Sequence, residues 1–310
     1  MAADNSPTQT EQAIVAASQA SSRGSHQLSA VLKCERLWAL RYYQRLRKTT
    51  HKPWTLIGTL VHTCLAYHFA EMLPERPDWY SVRTRDEQLE LEGAGHPDLI
   101  RQAKDCYEAW KQRHAGEAWH PMYVEEEFKA PLHAMFGDSC PEDVRDEVVS
   151  CKVDLVTRWN GQVWIVDHKC SSGDARTGRL RRWDGDADYR LALQVFQNLY
   201  ILRACLDEPV RGFAIHRVKR SVPYDFDRHA LQPPRIAYEQ VQRTIIDAVR
   251  RERDITTRIE RGEKPTPALG VACQTRYGPC DYHSICSADT IEDQQIAQAA
   301  EFIAIGGKKG

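Results

Sequence analysis

V-S-C-K-V-D-L-V-T-R-W-N-G-Q-V-W-I-V-D-H-K, residues 149–169, is the stretch on which the reading of this chain turns. Two apolar runs of period-2 character flank Asn160-Gly161, a dipeptide suited to the positive φ angles of a two-residue type I′ hairpin turn. Such a turn sets Trp159 opposite Gln162 and, counting back along both strands, Asp154 opposite Asp167. Directly opposed residues share a sheet face with Cβ atoms about 5 Å apart. Lys169, two residues beyond Asp167, points to that same face. Two aspartates opposed in an apolar hairpin repel unless a cation sits between them. The register therefore predicts a metal site.

A carboxylate pair suits a hard divalent cation, Mg²⁺ or Mn²⁺, which takes oxygen ligands and keeps several waters. A lysine beside it can hold or help deprotonate an attacking water, and can offset charge on a phosphoryl group. The plain alternative is a pair of solvent-facing aspartates with Lys169 as their salt-bridge partner.

The rest of the chain bounds this reading. Its 310 residues suffice for one large domain or two small ones. A net charge of −1 does not advertise nucleic-acid binding, so any such surface must come from local clustering. No run approaches the ~20 apolar residues that span a bilayer. The opening M-A-A-D-N-S-P-T-Q-T-E-Q lacks a basic segment followed by an apolar one, so no secretory signal is read. A cytoplasmic protein with no membrane partner is expected. In that compartment ten cysteines suggest metal or cluster ligation where they are grouped, rather than disulfides.

Outward from the hairpin, residues 1–27 read as a flexible tail and 28–288 as a single domain. A helix capped by Ser29 carries Val31, Leu32, Leu37, Trp38 and Leu40, with Cys34-Glu35-Arg36 inside it. A second helix runs from about 54 to 73, where Pro74 stops it, and bears Gly58 and His62 one turn apart. Further helix is expected over 84–114, broken near 93–97. A strand follows over 122–132, containing Glu125, Glu126 and Glu127. The plain reading of that acidic run is a solvated face, although one or more could turn toward the site. Beyond the hairpin come an arginine-rich loop at 171–188, a helix over 189–206, a strand over 212–219 and a charged amphipathic helix over 235–262. Residues 289–310 read as a C-terminal tail. The order predicts an α/β fold with a central mixed sheet flanked by helices.

The pattern D-L-V-x9-V-D-H-K resembles the signature of the PD-(D/E)XK nuclease superfamily, specifically its RecB-like branch. The resemblance implies a restriction-endonuclease-like core. It further implies that Asp154 and Asp167 bind metal, Lys169 is catalytic and the backbone carbonyl of His168 adds a further ligand. Gly58-Thr59-Leu60-Val61-His62 matches the branch's G-x-x-x-H motif, whose histidine is another ligand. The branch also places a Gln and a Tyr one turn apart on the following helix. Here Gln194 is followed at i+4 by Asn198, while Gln197 and Tyr200 lie at i, i+3, so the sequence leaves open which glutamine takes the part.

Cys273, Cys280 and Cys286 form a tight trio that wants a fourth ligand. His283 inside the trio would make a zinc site, and Cys34, far back in sequence, is the other candidate. This set resembles the iron–sulfur subset of RecB-like nucleases, which includes AddB-type helicase–nucleases and CRISPR-associated exonucleases. There one cysteine before the core and three after it hold a [4Fe–4S] cluster. Here Cys34-Glu35-Arg36 departs from the usual Cys-Pro-Arg. Such a cluster would clasp the two ends of the domain. Closing a loop of roughly 240 residues would remove more chain entropy than the ~4.7 kcal/mol of a 100-residue loop. The other six cysteines read mainly as buried small hydrophobes.

Arg176, Arg179, Arg181 and Arg182 in the loop after Lys169, and Arg217, Lys219 and Arg220 at the end of the next strand, could contact a DNA backbone. No base-reading motif is present. The expected activity is metal-dependent hydrolysis of DNA phosphodiesters, as an exonuclease on single strands or ends in recombination, repair or replication, with a helicase or recombination partner. The alternative is a non-catalytic DNA-binding scaffold with a structural Fe–S or zinc site.

Overall fold

Five strands form the central sheet of the computed structural model, which describes residues 23–48, 53–174, 176–177, 179–180, 189, 191–231, 233–268, 270–275 and 278–304. In spatial order they are β2 (His120–Pro131), β3 (Val148–Trp159), β4 (Gln162–Ser171), β5 (Val210–Lys219) and β6 (Asp225–Leu231). β1 (Leu46–Lys48) lies outside this sheet. The β4–β5 pair is parallel and the other three are antiparallel. The sheet is therefore mixed, and helices pack on both faces.

On one face lie α1 (Ser25–Lys33), α8 (Leu193–Cys205) and α9 (Arg235–Glu260). They bury Leu28, Val31, Val195, Leu199, Ile245 and Val249 against Val153, Ile165, Phe213 and Ile215. On the other lie α3 (Pro53–Glu71), α5 (Arg85–Glu92) and α6 (Pro97–His114), which bury Leu60, Val61, Leu65, Phe69, Leu89 and Trp110 against Leu155, Trp164, Val166 and Ala214. Short helical segments α2 (Glu35–Trp38), α4 (Asp78–Val82) and α7 (Leu132–Phe136) connect these layers.

The hairpin forms as its turn demands. Asn160 and Gly161 have φ angles of 51° and 72°, and the ladder runs from Trp159↔Gln162 to Leu155↔Val166. It stops there, one pair short of Asp154 and Asp167. The cause lies in the neighbouring strand. Val153 packs in the first core and Leu155 in the second, although residues two apart on a regular strand share a face. The alternation breaks at Asp154. On β2 the pairs Val124↔Leu155 and Glu126↔Val153 bracket Glu125, whose φ of 52° is left-handed for a residue with a side chain. Asp154 and Asp167 are thus not a ladder pair, and Asp154 lies at a seam between β2, β3 and β4.

Both expected tails carry structure. α1 starts at Ser25 rather than Ser29, because Arg23 pairs with Glu147 and Glu252 from distant elements and anchors the helix start. The helix then breaks at Cys34, where φ is −164°, and resumes as α2. At the other end, α11 (Ile291–Glu301), capped by Thr290, leads into β9 (Phe302–Ala304). β9 pairs antiparallel with β1. Phe302 stacks on Tyr282 with centroids 5.1 Å apart, and the Tyr282 hydroxyl donates to the Leu46 carbonyl. Residues 1–22 and 305–310 lie outside the described residues.

Candidate metal centre

Three elements meet at the seam. Asp154 turns its carboxylate between the strands, where Oδ2 accepts the backbone N–H of His168 at 2.7 Å. The same oxygen lies 3.5 Å from His62 Nδ1 on α3. Ligand atoms of His62, Glu125 and Asp154 all fall within 4.8 Å of one another, a group that does not include Asp167. Burial, the largest single influence, works against charge on His62, but Asp154, Cys170 and Glu125 together outweigh it, and the imidazole pKa is pushed up to about 10. Burial raises Asp154, Asp167 and Glu125 add to the rise, and the carboxyl reaches about 6 despite His62. Acidic groups crowd here around one imidazole. Carboxylate oxygens suit Mg²⁺ or Mn²⁺, and the nitrogen donor favours Mn²⁺ of the two. The donor set therefore fits a divalent cation.

Beside this group, Lys169 Nζ bridges both oxygens of Asp167, at 3.0 Å to Oδ1 and 2.7 Å to Oδ2. Burial would discharge the ammonium, but Asp167 reverses that and the Lys169 pKa is raised. Gln194, near the start of α8, donates its amide to Asp167 Oδ1 at 2.8 Å. The open choice between glutamines is thereby narrowed. Gln197 is fully buried and donates instead to the carbonyls of Arg23 and Ser150, both at 3.0 Å. Tyr200 donates its hydroxyl to the Tyr238 carbonyl and packs edge-on against Phe136. Neither Gln197 nor Tyr200 reaches the site, because the helix face they occupy is the one that packs in the first core.

The side chain of His168 points away from Asp167 and Lys169, into the second core. Trp110 donates its indole N–H to His216 Nε2 at 3.3 Å, and His216 Nδ1 lies 2.9 Å from His168 Nδ1. Burial, with His216 second for His168 and Arg228 second for His216, holds both pKa values well below 6.5. Both rings are neutral. His216 must then carry its proton on Nδ1 and donate it to His168, which leaves the His168 proton on Nε2. The ring stacks on Phe69 and meets His62 edge-on, at centroid distances of 5.8 and 5.9 Å. This buried stack sets the orientation of the strand that bears Asp167 and Lys169.

The basic residues divide. Arg176 and Arg179 are exposed beside the site strand's end, and Arg181 and Arg182 lie outside the described residues. Arg217 is committed to Asp227, its Nε 2.7 Å from Oδ1. Lys219 is fully buried and donates to the carbonyls of Ser221 and Pro223, at 2.6 and 2.5 Å. Those two serve the fold, a role that alternating charges in a strand do not reveal.

A sequence profile of the PD-(D/E)XK nuclease superfamily matches residues 25–287. The chain belongs to that superfamily. Among solved structures, a candidate exonuclease from Eubacterium rectale is similar at 11% identity, covering 86% of this chain and 93% of its own, with a TM-score of 0.48. SSO0001 is similar at 10% identity, covering 68% and 87%, with a TM-score of 0.29. No curated protein matches the sequence. By family the chain is a nuclease, a class of hydrolase that uses divalent metals, and no described helix is long and apolar enough to cross a membrane.

In this PD-(D/E)XK chain the four grouped cysteines lie in one region, but among the described residues their sulfurs do not form a close ligand group like that of His62, Glu125 and Asp154. Cys34 caps α2, and its sulfur accepts the backbone N–H groups of Leu37 at 3.4 Å and Ala268 at 3.3 Å. Cys273 donates to the Ala268 carbonyl at 3.2 Å, and its own carbonyl accepts the Cys280 N–H across the two short strands β7 (Gln274–Thr275) and β8 (Gly278–Pro279). Burial raises the Cys286 thiol pKa, and Cys280, Cys34 and Cys273 add to that rise. His283, which opens α10 (His283–Cys286), is exposed. Of the scattered cysteines, Cys64, Cys106, Cys140 and Cys151 are buried as expected, Cys170 is half-buried and Cys205 is exposed.

Proposed function

We propose that this protein is a metal-dependent deoxyribonuclease that hydrolyses phosphodiester bonds of single-stranded DNA or DNA ends as an exonuclease. One observation carries the reading: His62 and Asp154 converge beside an Asp167–Lys169–Gln194 unit in a chain of the PD-(D/E)XK superfamily. His62, Asp154, Asp167 and the His168 carbonyl would hold Mg²⁺ or Mn²⁺. The bound ion supplies Lewis acidity and lowers the pKa of a water.

The chain's own groups do the rest. Lys169 stays cationic because both Asp167 oxygens hold it, so it acts as a fixed positive charge and N–H donor toward the scissile phosphate rather than as a general base. Gln194 keeps Asp167 from rotating away. Arg176 and Arg179, exposed after the strand that bears Lys169, would contact a DNA backbone and give salt-dependent, sequence-tolerant affinity. Cys34, Cys273, Cys280 and Cys286 would ligate a [4Fe–4S] cluster. Their four thiols suit iron–sulfur better than a Cys₃His zinc site, given the exposed His283. A role in repair, replication or recombination, in the cytoplasm and beside a helicase, is consistent with this activity.

The test is digestion of end-labelled single- and double-stranded DNA with Mg²⁺, Mn²⁺ or chelator, alongside Asp167→Ala and Lys169→Ala. Metal-dependent cleavage lost in both variants is expected. Cleavage unchanged in both would sink the catalytic assignment, and absence of cleavage by the wild type would leave a DNA-binding scaffold as the better description.

A further inference from the structure

Glu125 is the one member of the metal group that does not come from a family motif, and the backbone goes out of its way to place it. The pairs on either side bracket it opposite Asp154, yet the two do not pair. Its φ of 52° leaves the ladder and costs of order 1 kcal/mol for a residue with a side chain. Its neighbours Glu126 and Glu127 remain in the ordinary strand conformation and point to solvent. The strained residue alone is half-buried with its carboxylate in reach of His62 and Asp154. Its Oε2 is held at 2.8 Å by Lys152 Nζ, a cation one strand over.

Resting on the reading that the His62–Asp154 site holds a divalent ion, we propose that Glu125 is a fourth side-chain ligand of that ion and Lys152 its internal competitor. The ammonium and the ion draw on the same carboxylate. When Glu125 turns to the ion, it gives up the Lys152 pair. Lys152 thus weakens the site by neutralising one ligand. Glu125 strengthens it by adding a third carboxylate charge.

Mn²⁺ binding to the full-length protein, measured by titration calorimetry without DNA, tests this. Glu125→Gln should weaken binding by about tenfold or more, and Lys152→Met should tighten it by a similar factor, the scale on which supporting groups tune metal affinity. In the Glu125→Gln background, Lys152→Met should lose most of its effect. Circular dichroism and melting curves establish that each variant is folded. Asp154→Asn separates the two levels of the argument. If Asp154→Asn abolishes binding but Glu125→Gln binds as tightly as wild type, the site stands and Glu125 is no ligand. If Lys152→Met tightens binding equally with and without Glu125, competition for that carboxylate is overturned. If the wild type binds no Mn²⁺, the underlying site reading fails and takes this proposal with it.

Discussion

Two glutamines three residues apart on one helix make opposite predictions. Gln194 donates to a charged carboxylate at the site, whereas Gln197 satisfies two backbone carbonyls in the core. Gln194→Ala should therefore slow DNA cleavage by roughly tenfold, about the 1.5 kcal/mol of one hydrogen bond to a charge, while hardly moving Tm. Gln197→Ala should lower stability by about 2 kcal/mol, because it strands two buried carbonyls. Paired rate and urea-denaturation measurements check both. His62 carries a pH signature. Its folded pKa, about 10, lies above the ordinary 6.5, so the protonated ring stabilises the metal-free protein fully below pH 6.5. That contribution disappears as pH rises through about 10. A metal ligand must be neutral, so Mn²⁺ binding near neutral pH should release close to one proton and tighten as pH rises. Calorimetry in buffers of different ionisation enthalpy reads this release, and His62→Gln should abolish it. The hairpin register was legible as far as Leu155↔Val166 because a two-residue turn sets it, but not beyond, where the alternation breaks at Asp154. Glu125 was not, since nothing in Glu-Glu-Glu marks which residue leaves the ladder.

Elements follow the sequence where a local rule governs them. Asn160-Gly161 predicts its hairpin, and Pro97 and the apolar spacing predict α6. Gly161→Ala should cost about 1 kcal/mol, since open space surrounds the added methyl and only the positive φ resists it. Gly58, despite its place in the G-x-x-x-H motif, should behave in the reverse sense. A Cβ there would meet Cys170 Cβ at 3.6 Å, an ordinary contact, so Gly58→Ala should raise stability by up to about 1 kcal/mol through helix propensity. Equilibrium urea unfolding distinguishes the two signs. β1, β6 and β9 escaped the sequence reading for a common reason. They are short or lie at a sheet edge, and their mixed patterns, such as D-F-D-R-H-A-L, acquire meaning only from the strand beside them.

Across the whole molecule, the two ends of the chain share one structure. Tyr282, Ile285 and Phe302 pack with Leu40 and Leu46, β9 pairs with β1, and Cys34 meets the Ala268 backbone. These contacts span more than two hundred residues, beyond the reach of periodicity or capping arguments. They also predict that the ends loosen together. Cys34→Ser should eliminate the visible absorption expected of the proposed iron–sulfur site in anaerobically purified protein. It should also expose the 263–268 segment to limited proteolysis along with the N-terminal helices, as mass spectrometry of the fragments would reveal. Stoichiometric zinc in a colourless wild-type preparation would instead assign the four thiols to a zinc site.

The partnership of Cys34 with Ala268 also has a consequence for biosynthesis. The two residues are separated by 234 positions. At translation rates of about 5–20 residues per second, Cys34 leaves the ribosome roughly 12–47 s before its partner exists. For most of that interval, until residues 235–260 have been made, the apolar stripe of Leu28 and Val31 has no α9 to dock against. The nascent chain therefore carries an unfinished N-terminus until residue 268 has been made, which places closure of the domain late in its synthesis.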